Sequence, residues 1–435
     1  MTLRLGTVVI IVVSSATTAR ARGPPHAQRH ARRTQPAGRV ARRQLRVRPP
    51  ASRATSGARC AGSARSGSSR PGARLDGDAL RPLLRDAVLG MLRQVSELAA
   101  SGGTVEVGRV AFAATADLQW RAMFSSGLDE ATSGEMHVFA REAVAFSLKP
   151  NVSDFFPALA AADLQSVRRV FTRHLARVYQ LIDQQIDQRS HNRGGGARKD
   201  DLLDVMLDME EQGKDDVDDS LVNVNRDFIR SFLTDIFLAS IDTISSTVEW
   251  AMAELLQDQR IMTTLQQELK MVLGSKTHVE YSDINQLPYL QAVVKETLRV
   301  HVVVPLVPNK AEATVEIQGY TIPKGSTVLV NLWAIHHDPE VWMEPDKFLP
   351  ERFMQHEDIN FQGADFTFIP FSAGRRICLG LPLATRMLHA MLGSLLHRFE
   401  WTLPLDVKEN GVDMSEKLGL TMTMATPLQV IAKPR

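Results

Sequence analysis

The chain is poor in cysteine: Cys60 and Cys378 are the only two in 435 residues. That excludes a disulfide framework and any zinc site built on a cysteine cluster. Long apolar runs are missing too, and none reaches the roughly 18–20 residues that span a bilayer. The glycines at 194–196 have no preceding strand and no Gly-Lys-Ser/Thr ending, which excludes a phosphate cradle and leaves a flexible link. Proline is absent between Pro157 and Pro288, and no aromatic residue occurs before Phe112. Residues 1–75 hold no lysine and no acid, yet they contain 16 arginines. The remaining residues carry 35 basic against 49 acidic groups, a net of −14 that the overall +2 conceals. A basic head therefore precedes a mildly acidic body. With 44% apolar and 23% charged residues, the chain has the composition of a soluble globular protein, long enough for a large core.

The head reads in several ways. Residues 5–13 (LGTVVIIVV) resemble a short secretory signal core, although only Arg4 precedes them. The Arg- and Ser-rich stretch without acids also resembles an organelle transit peptide. Arg42, Arg43, Arg46 and Arg48 form a basic run without interleaved aromatics, so no nucleic-acid contact is expected. Residues 1–72 are expected to be a disordered low-complexity head that builds no core. Residues 73–435 are the expected folded domain.

The body looks helical. Leu164, Val167, Phe171, Leu175, Val178, Ile182 and Ile186 recur at spacings of three and four, as on one amphipathic helix. The acidic run from Asp200 to Asp219 lacks the oxygen spacing of a calcium loop and reads as a solvated helix end. From Asp227 to about Leu256 a longer helix is apolar nearly all round, which suits the centre of a protein. Its middle carries Asp242, Thr243, Ser245, Ser246 and Thr247, polar groups that a buried helix avoids unless they are used. Between residues 314 and 331 the period changes to two around Gln318-Gly319 and Pro323-Lys324-Gly325, predicting a small antiparallel sheet. The fold class is therefore mainly α with a minor antiparallel β element.

The sharpest chemistry lies at 371–380, FSAGRRICLG. Phe371, Gly374, Arg376, Cys378 and Gly380 fit Phe-x-x-Gly-x-Arg-x-Cys-x-Gly, a match that background residue usage produces by chance about once in ten thousand chains of this length. A single cysteine is usually a buried structural thiol; this pattern reverses that prior. The glycines let the backbone bend close to a flat ligand, and Arg376 can pair with a propionate. Cys378 leads into an apolar helix from Leu381 to Phe399, whose N-terminal amides and dipole favour a thiolate.

On these residues the sequence resembles the cytochrome P450 family of haem-thiolate monooxygenases. The family's other marks stand in the expected order: Ala239-Ser240-Ile241-Asp242-Thr243 in the long helix, Lys295-Glu296-Thr297-Leu298-Arg299, and Pro350-Glu351-Arg352-Phe353. Stretches such as VEWAMAELL and YLQAVVKETLR are similar to a plant microsomal branch that includes geraniol hydroxylases and other terpenoid oxidases. The resemblance implies haem as cofactor with Cys378 as the axial ligand of its iron, dioxygen as co-substrate, and Phe371, Gly374, Arg376 and Gly380 around the haem. It implies electrons from NADPH through a separate NADPH-cytochrome reductase, and Asp242 and Thr243 as the proton-handling pair. Glu296, Arg299 and Arg352 would form a structural ion cluster. Ala239, Val304, Leu306 and Leu420, in the Gly419-Leu420-Thr421 turn, would line the site of a small hydrophobic terpenoid- or phenylpropanoid-like substrate. The family also implies location at the endoplasmic reticulum membrane, with peripheral association or an organelle as alternatives for this chain.

Departures accompany the resemblance. The family's usual N-terminal sheet and early helices are expected to be replaced by the head. Trp120-Arg121 does not form Trp-x-x-x-Arg, Ser240 replaces the usual kink glycine, His301-Val302-Val303 replaces His-Pro-Pro, and Asn309 stands where a basic residue is common. Arg376 is then the main expected propionate partner. The alternative to a working monooxygenase is a degenerate, non-catalytic remnant that binds haem weakly or not at all.

Overall fold

The computed structural model describes residues 1–5, 8–21, 31–33, 80–147, 151–159, 161, 163–193, 198–212, 224–355, 358–419 and 421–435. Its N-terminal residues form strands β1 (Thr2–Leu5) and β2 (Val8–Val13), a short helix α1 (Ala16–Ala21) and strand β3 (Ala31–Arg33). Long helices follow: α2 (Leu80–Ala100), α3 (Val107–Phe124, after the two-residue strand β4, Val105–Glu106), α4 (Glu130–Ser147), α5 (Val167–Asn192) and α6 (Leu202–Gln212). The centre is α7 (Arg226–Gln257), succeeded by α8 (Gln259–Leu273) and α9 (Pro288–Val300). Strands β5 (Leu306–Ala311), β6 (Val315–Ile317), β7 (Tyr320–Ile322) and β8 (Thr327–Asn331) then lead to α10 (Leu381–Arg398). The chain closes with β9 (Phe399–Thr402), β10 (Glu416–Leu418), β11 (Met422–Met424) and β12 (Gln429–Pro434).

Local chemistry sets these boundaries. Asn225 caps α7 by accepting the Phe228 amide at 2.9 Å, and Asp258 caps α8 by accepting the Arg260 and Ile261 amides. Pro288 opens α9, where its missing N–H costs nothing. Gln318 and Gly319 both take positive φ, 50° and 78°, the backbone that joins two antiparallel strands through a two-residue turn. The helix predicted from Leu164 starts three residues later. Asp163 and Ser166 adopt left-handed φ, and Leu164 is exposed ahead of the first turn.

The largest sheet corrects the reading of the head. Its order is β1-β2-β8-β5-β3, with β2 parallel to β8 in the register Ile10↔Thr327 to Val13↔Val330. Val13 and Ala19 are buried with Val307, Val328, Val330, Leu332 and Ile369 in one apolar cluster. The expectation that residues 1–72 contribute no core therefore fails for β2 and α1, through Val13 and Ala19. The physical reason is that VVIIVV, β-branched throughout, suits a strand paired along both edges as well as a signal core. The sheet is accordingly mixed rather than purely antiparallel. Residues 22–30 and 34–72, the rest of the predicted head, lie outside the described residues, as does Cys60.

Two other apolar clusters fill the body. One joins α2, α3, α7, α8, α9 and α10; the second gathers Trp120, Phe124, Phe171, Ile182, Leu203 and Phe237 from α3, α5, α6 and α7. Trp120 is thus a core residue, set edge-on to Phe237, and Arg121 pairs with Asp117 at 2.6 Å. Helix α7 belongs to both clusters, which puts its polar middle at the heart of the molecule.

Candidate active site

Cys378 sits in a tight loop between a 3-10 turn at Gly374–Arg376 and the start of α10. Its amide donates to the Phe371 carbonyl at 3.0 Å, and its own carbonyl accepts weakly from Leu381 at 3.4 Å. Gly374 has φ +73° and Ser372 φ +63°, so the loop turns back on itself, and a glycine relieves the strain at one of those positions. The sulfur curls over the first turn of α10: a Cβ placed on Gly380 would stand 3.8 Å from it. There the helix N-terminus favours a negative charge. Phe371 packs edge-on against Phe361 at 5.6 Å and Arg376 is half-buried. Gly363 also shapes the loop, since a side chain there would come within 2.9 Å of the Ser372 carbonyl. Its signal in the sequence, a glycine nine residues before Ser372 with no motif around it, is too weak to single it out.

Helix α7 packs directly on α10. Within it Ala239 is exposed and Thr243, one turn on, is half-buried, although their neighbours Phe237, Ile241 and Ile244 are buried. The Thr243 hydroxyl donates to the Ala239 carbonyl at 3.0 Å, leaving its oxygen able to accept from a second partner. Ser240, in place of glycine, donates to Phe237 O at 2.9 Å. Asp242 is buried, and its carboxylate accepts the hydroxyl of Thr421. Val304 and Leu306 are half-buried. Leu420 lies outside the described residues.

The predicted ion cluster comes together. Glu296 and Arg299 are completely shielded from solvent and joined by two bonds of 2.8 Å. Glu296 also accepts from Arg352 Nε at 3.1 Å and from the Leu349 amide at 2.8 Å. The remaining guanidinium donors of Arg299 reach the carbonyls of His336, Pro345 and Lys347. Every charge is thus matched by bonds, the condition under which a buried ion cluster is tolerated.

A second buried cluster escaped the sequence reading. His301, the cap of α9, stacks on Trp250 of α7 with ring centroids 4.0 Å apart. Its Nε2 lies 2.7 Å from Glu254 and its Nδ1 3.8 Å from Glu416 on β10. Burial alone pushes the imidazole pKa down, but the two carboxylates outweigh it and hold the pKa above its ordinary value. Trp250 and Glu254 are one turn apart on α7, but no spacing rule links them to positions 301 and 416, which only the fold brings to them.

The donor set fits haem. Among the described residues no group of three or more metal-ligating side chains exists. An iron held by its own macrocycle needs only one thiol. The loop offers that thiol at a helix N-terminus, with a guanidinium two residues away and the accessible Ala239–Thr243 face on the adjoining helix.

Comparison with known proteins agrees. The family model described as Cytochrome P450 matches residues 71–430. Geraniol 8-hydroxylase of Swertia mussotii is 41% identical over 353 residues, covering 79% of this chain and 70% of that protein. Geraniol 8-hydroxylase of Catharanthus roseus is 42% identical over 350 residues, covering 78% and 69%. A zebra fish cytochrome P450 structure with progesterone superposes with a TM-score of 0.80 at 23% identity, covering 100% of this chain and 96% of that one. The last shows the shared fold; the residues matched by the family model and the identity to the plant enzymes show more, and the chain belongs to the cytochrome P450 family of haem-thiolate monooxygenases.

Proposed function

We propose that this chain hydroxylates a small hydrophobic compound of the terpenoid class, with Cys378 as the axial thiolate and NADPH-cytochrome reductase as the source of electrons. The observation that carries the reading is the Cys378 sulfur at the N-terminus of α10, a helix that packs directly on α7. When bound, the haem supplies the redox chemistry that activates dioxygen, and its thiolate ligand favours O–O cleavage. The residues of the chain bind, orient and move protons around it. Arg376 would pair with a propionate, Phe371 fixes the loop through its carbonyl and its ring, and Gly374 and Gly380 would let the backbone come close to the macrocycle. Thr243 offers a hydroxyl on the accessible face, where it can hold a proton donor in place. Ala239, Val304 and Leu306 give the substrate apolar walls. Kinship with the two geraniol 8-hydroxylases supports an acyclic terpenoid alcohol as the first compound to try.

We place the protein at the endoplasmic reticulum membrane. No described helix is long and apolar enough to cross a membrane, while Phe156, Leu159 and Leu164 are exposed apolar side chains on neighbouring turns that suit contact with a lipid surface.

The carbon-monoxide difference spectrum of the reduced full-length chain tests the ligand, and turnover of geraniol with reductase and NADPH tests the substrate class. A thiolate-type Soret band that disappears in Cys378→Ala is the expected result. Retention of that band in Cys378→Ala, or its absence from the unmutated chain, overturns the assignment.

A further inference from the structure

Asp242 and Thr243 are adjacent on α7 but face different neighbours. Successive residues of a helix point about 100° apart, and here Thr243 lies towards the accessible face while Asp242 lies under the hairpin β10–β11. Its carboxylate accepts the hydroxyl of Thr421, a residue 179 positions away at the hairpin tip. Both side chains are buried. The same tip is closed by one bond of its own and fixed to other segments at two further points. Gly419 donates to the Thr421 carbonyl at 3.0 Å, the Met422 amide donates to Val303 O at 2.8 Å, and Trp250 Nε1 reaches Met422 O at 3.4 Å. Val303 immediately precedes Val304. These bonds therefore tie together three segments that carry proposed substrate walls: α7 at Ala239, the strand entry at Val304–Leu306, and the 419–421 turn.

We infer that Asp242 is a positioning residue, which clasps the hairpin tip through Thr421 and thereby sets where a substrate rests against α7. This rests on the haem-thiolate reading of the site. A carboxylate accepting a buried hydroxyl forms a charge-assisted bond, and removing either partner leaves the other short of a bond in a place water does not reach. The tip then loses its charge-assisted anchor to α7 and keeps the backbone bond to Val303 and the weaker bond from Trp250 of the same helix. A proton relay through Asp242 makes a different demand: an ionisable group at position 242, with no requirement at position 421.

The test compares Asp242→Asn, Asp242→Ala, Thr421→Ser and Thr421→Val in the haem-loaded full chain. Two readouts serve: amide hydrogen exchange over residues 416–424, and the distribution of oxidised products from geraniol together with its spectral binding constant. Asn and Ser retain the bond, so Asp242→Asn and Thr421→Ser keep the exchange protection and the product pattern. Asp242→Ala and Thr421→Val each speed exchange at Met422 by about tenfold. Both weaken geraniol binding, spread oxidation over more carbons, and give a double variant no worse than either alone. The inference is overturned if Thr421→Val behaves as the unmutated chain while Asp242→Asn and Asp242→Ala alike divert electrons into hydrogen peroxide, because Asp242 then acts through its proton. Absence of the thiolate-type band from the unmutated chain overturns the haem reading and the substrate half of the inference with it. In that event, unchanged exchange in Asp242→Ala and Thr421→Val overturns the clasp as well.

Discussion

Glu296 and Arg299, the fully buried ion pair of α9, carry the first prediction. Glu296 serves two guanidinium groups and one backbone amide without contact with water. Removing it in Glu296→Ala strands Arg299 and Arg352 beside each other, at a cost of about 3–5 kcal/mol. A melting midpoint many degrees lower and loss of bound haem are expected in thermal scans of the purified protein; a haem-replete variant that melts with the parent contradicts it. His301 carries the second. Its pKa is raised in the folded state, so the folded protein binds its proton more tightly than the unfolded chain does. That stabilisation is complete below the ordinary imidazole value and is lost as pH rises through the raised value. His336 and His389 act in the opposite sense. Burial depresses them to about 3 and about 4, so stability falls as pH drops below the ordinary imidazole value and they charge only on unfolding. Melting midpoints measured across pH should therefore decline on both sides of neutrality. His301→Gln should remove the decline on the alkaline side and leave the acidic one.

At the scale of elements, α7 shows what a sequence discloses and what it hides. Its span was legible, Asp227 to about Leu256 against Arg226–Gln257, because an all-round apolar helix leaves a continuous local signal. The Cys378 loop, α10 and the Glu296–Arg299 pair were legible for the same reason, being set by residues within a turn or two of each other. The partners of Asp242 and His301 were not, since Thr421, Glu254 and Glu416 are brought to them only by packing. Thr243 remains the proton-handling candidate of this helix, and its structural role is small, a hydroxyl shared between the Ala239 and Ser240 carbonyls of its own helix. Thr243→Ala should therefore leave haem content and geraniol binding intact, lower the melting midpoint slightly, and raise hydrogen peroxide yield per NADPH several-fold. Equal coupling in variant and parent would remove Thr243 from the proton path.

For the molecule as a whole, the first residues of the N-terminal segment matter most, because composition alone misjudged β2 and α1. An arginine-rich stretch without acids or aromatics looks unable to build a core, and residues 8–13 look like a signal. Their partner β8, which converts that apolar run into a covered strand, lies more than three hundred residues away in sequence. The consequence reaches the site. Arg20 lies over the ring of Phe366 at 5.8 Å and within 4.0 Å of Asp365, and Phe366 and Ala373 pack on the same apolar cluster as Val13 and Ala19. Phe366 and Ala373 belong to the stretch that leads into Cys378, so β2 and α1 share one apolar cluster with that stretch. Replacing Val13 with aspartate puts an unpaired carboxylate among Val307, Val328 and Val330, at a cost of several kcal/mol. Removing residues 1–21 strips the parallel partner from β8 and uncovers that cluster. Both changes should lower the melting midpoint and release haem faster, measured as transfer to apomyoglobin, while Arg20→Ala, a mostly exposed contact, changes either by little. If the chain lacking residues 1–21 kept its haem and its melting midpoint, the segment would be a passenger on the sheet and the loop would stand without it.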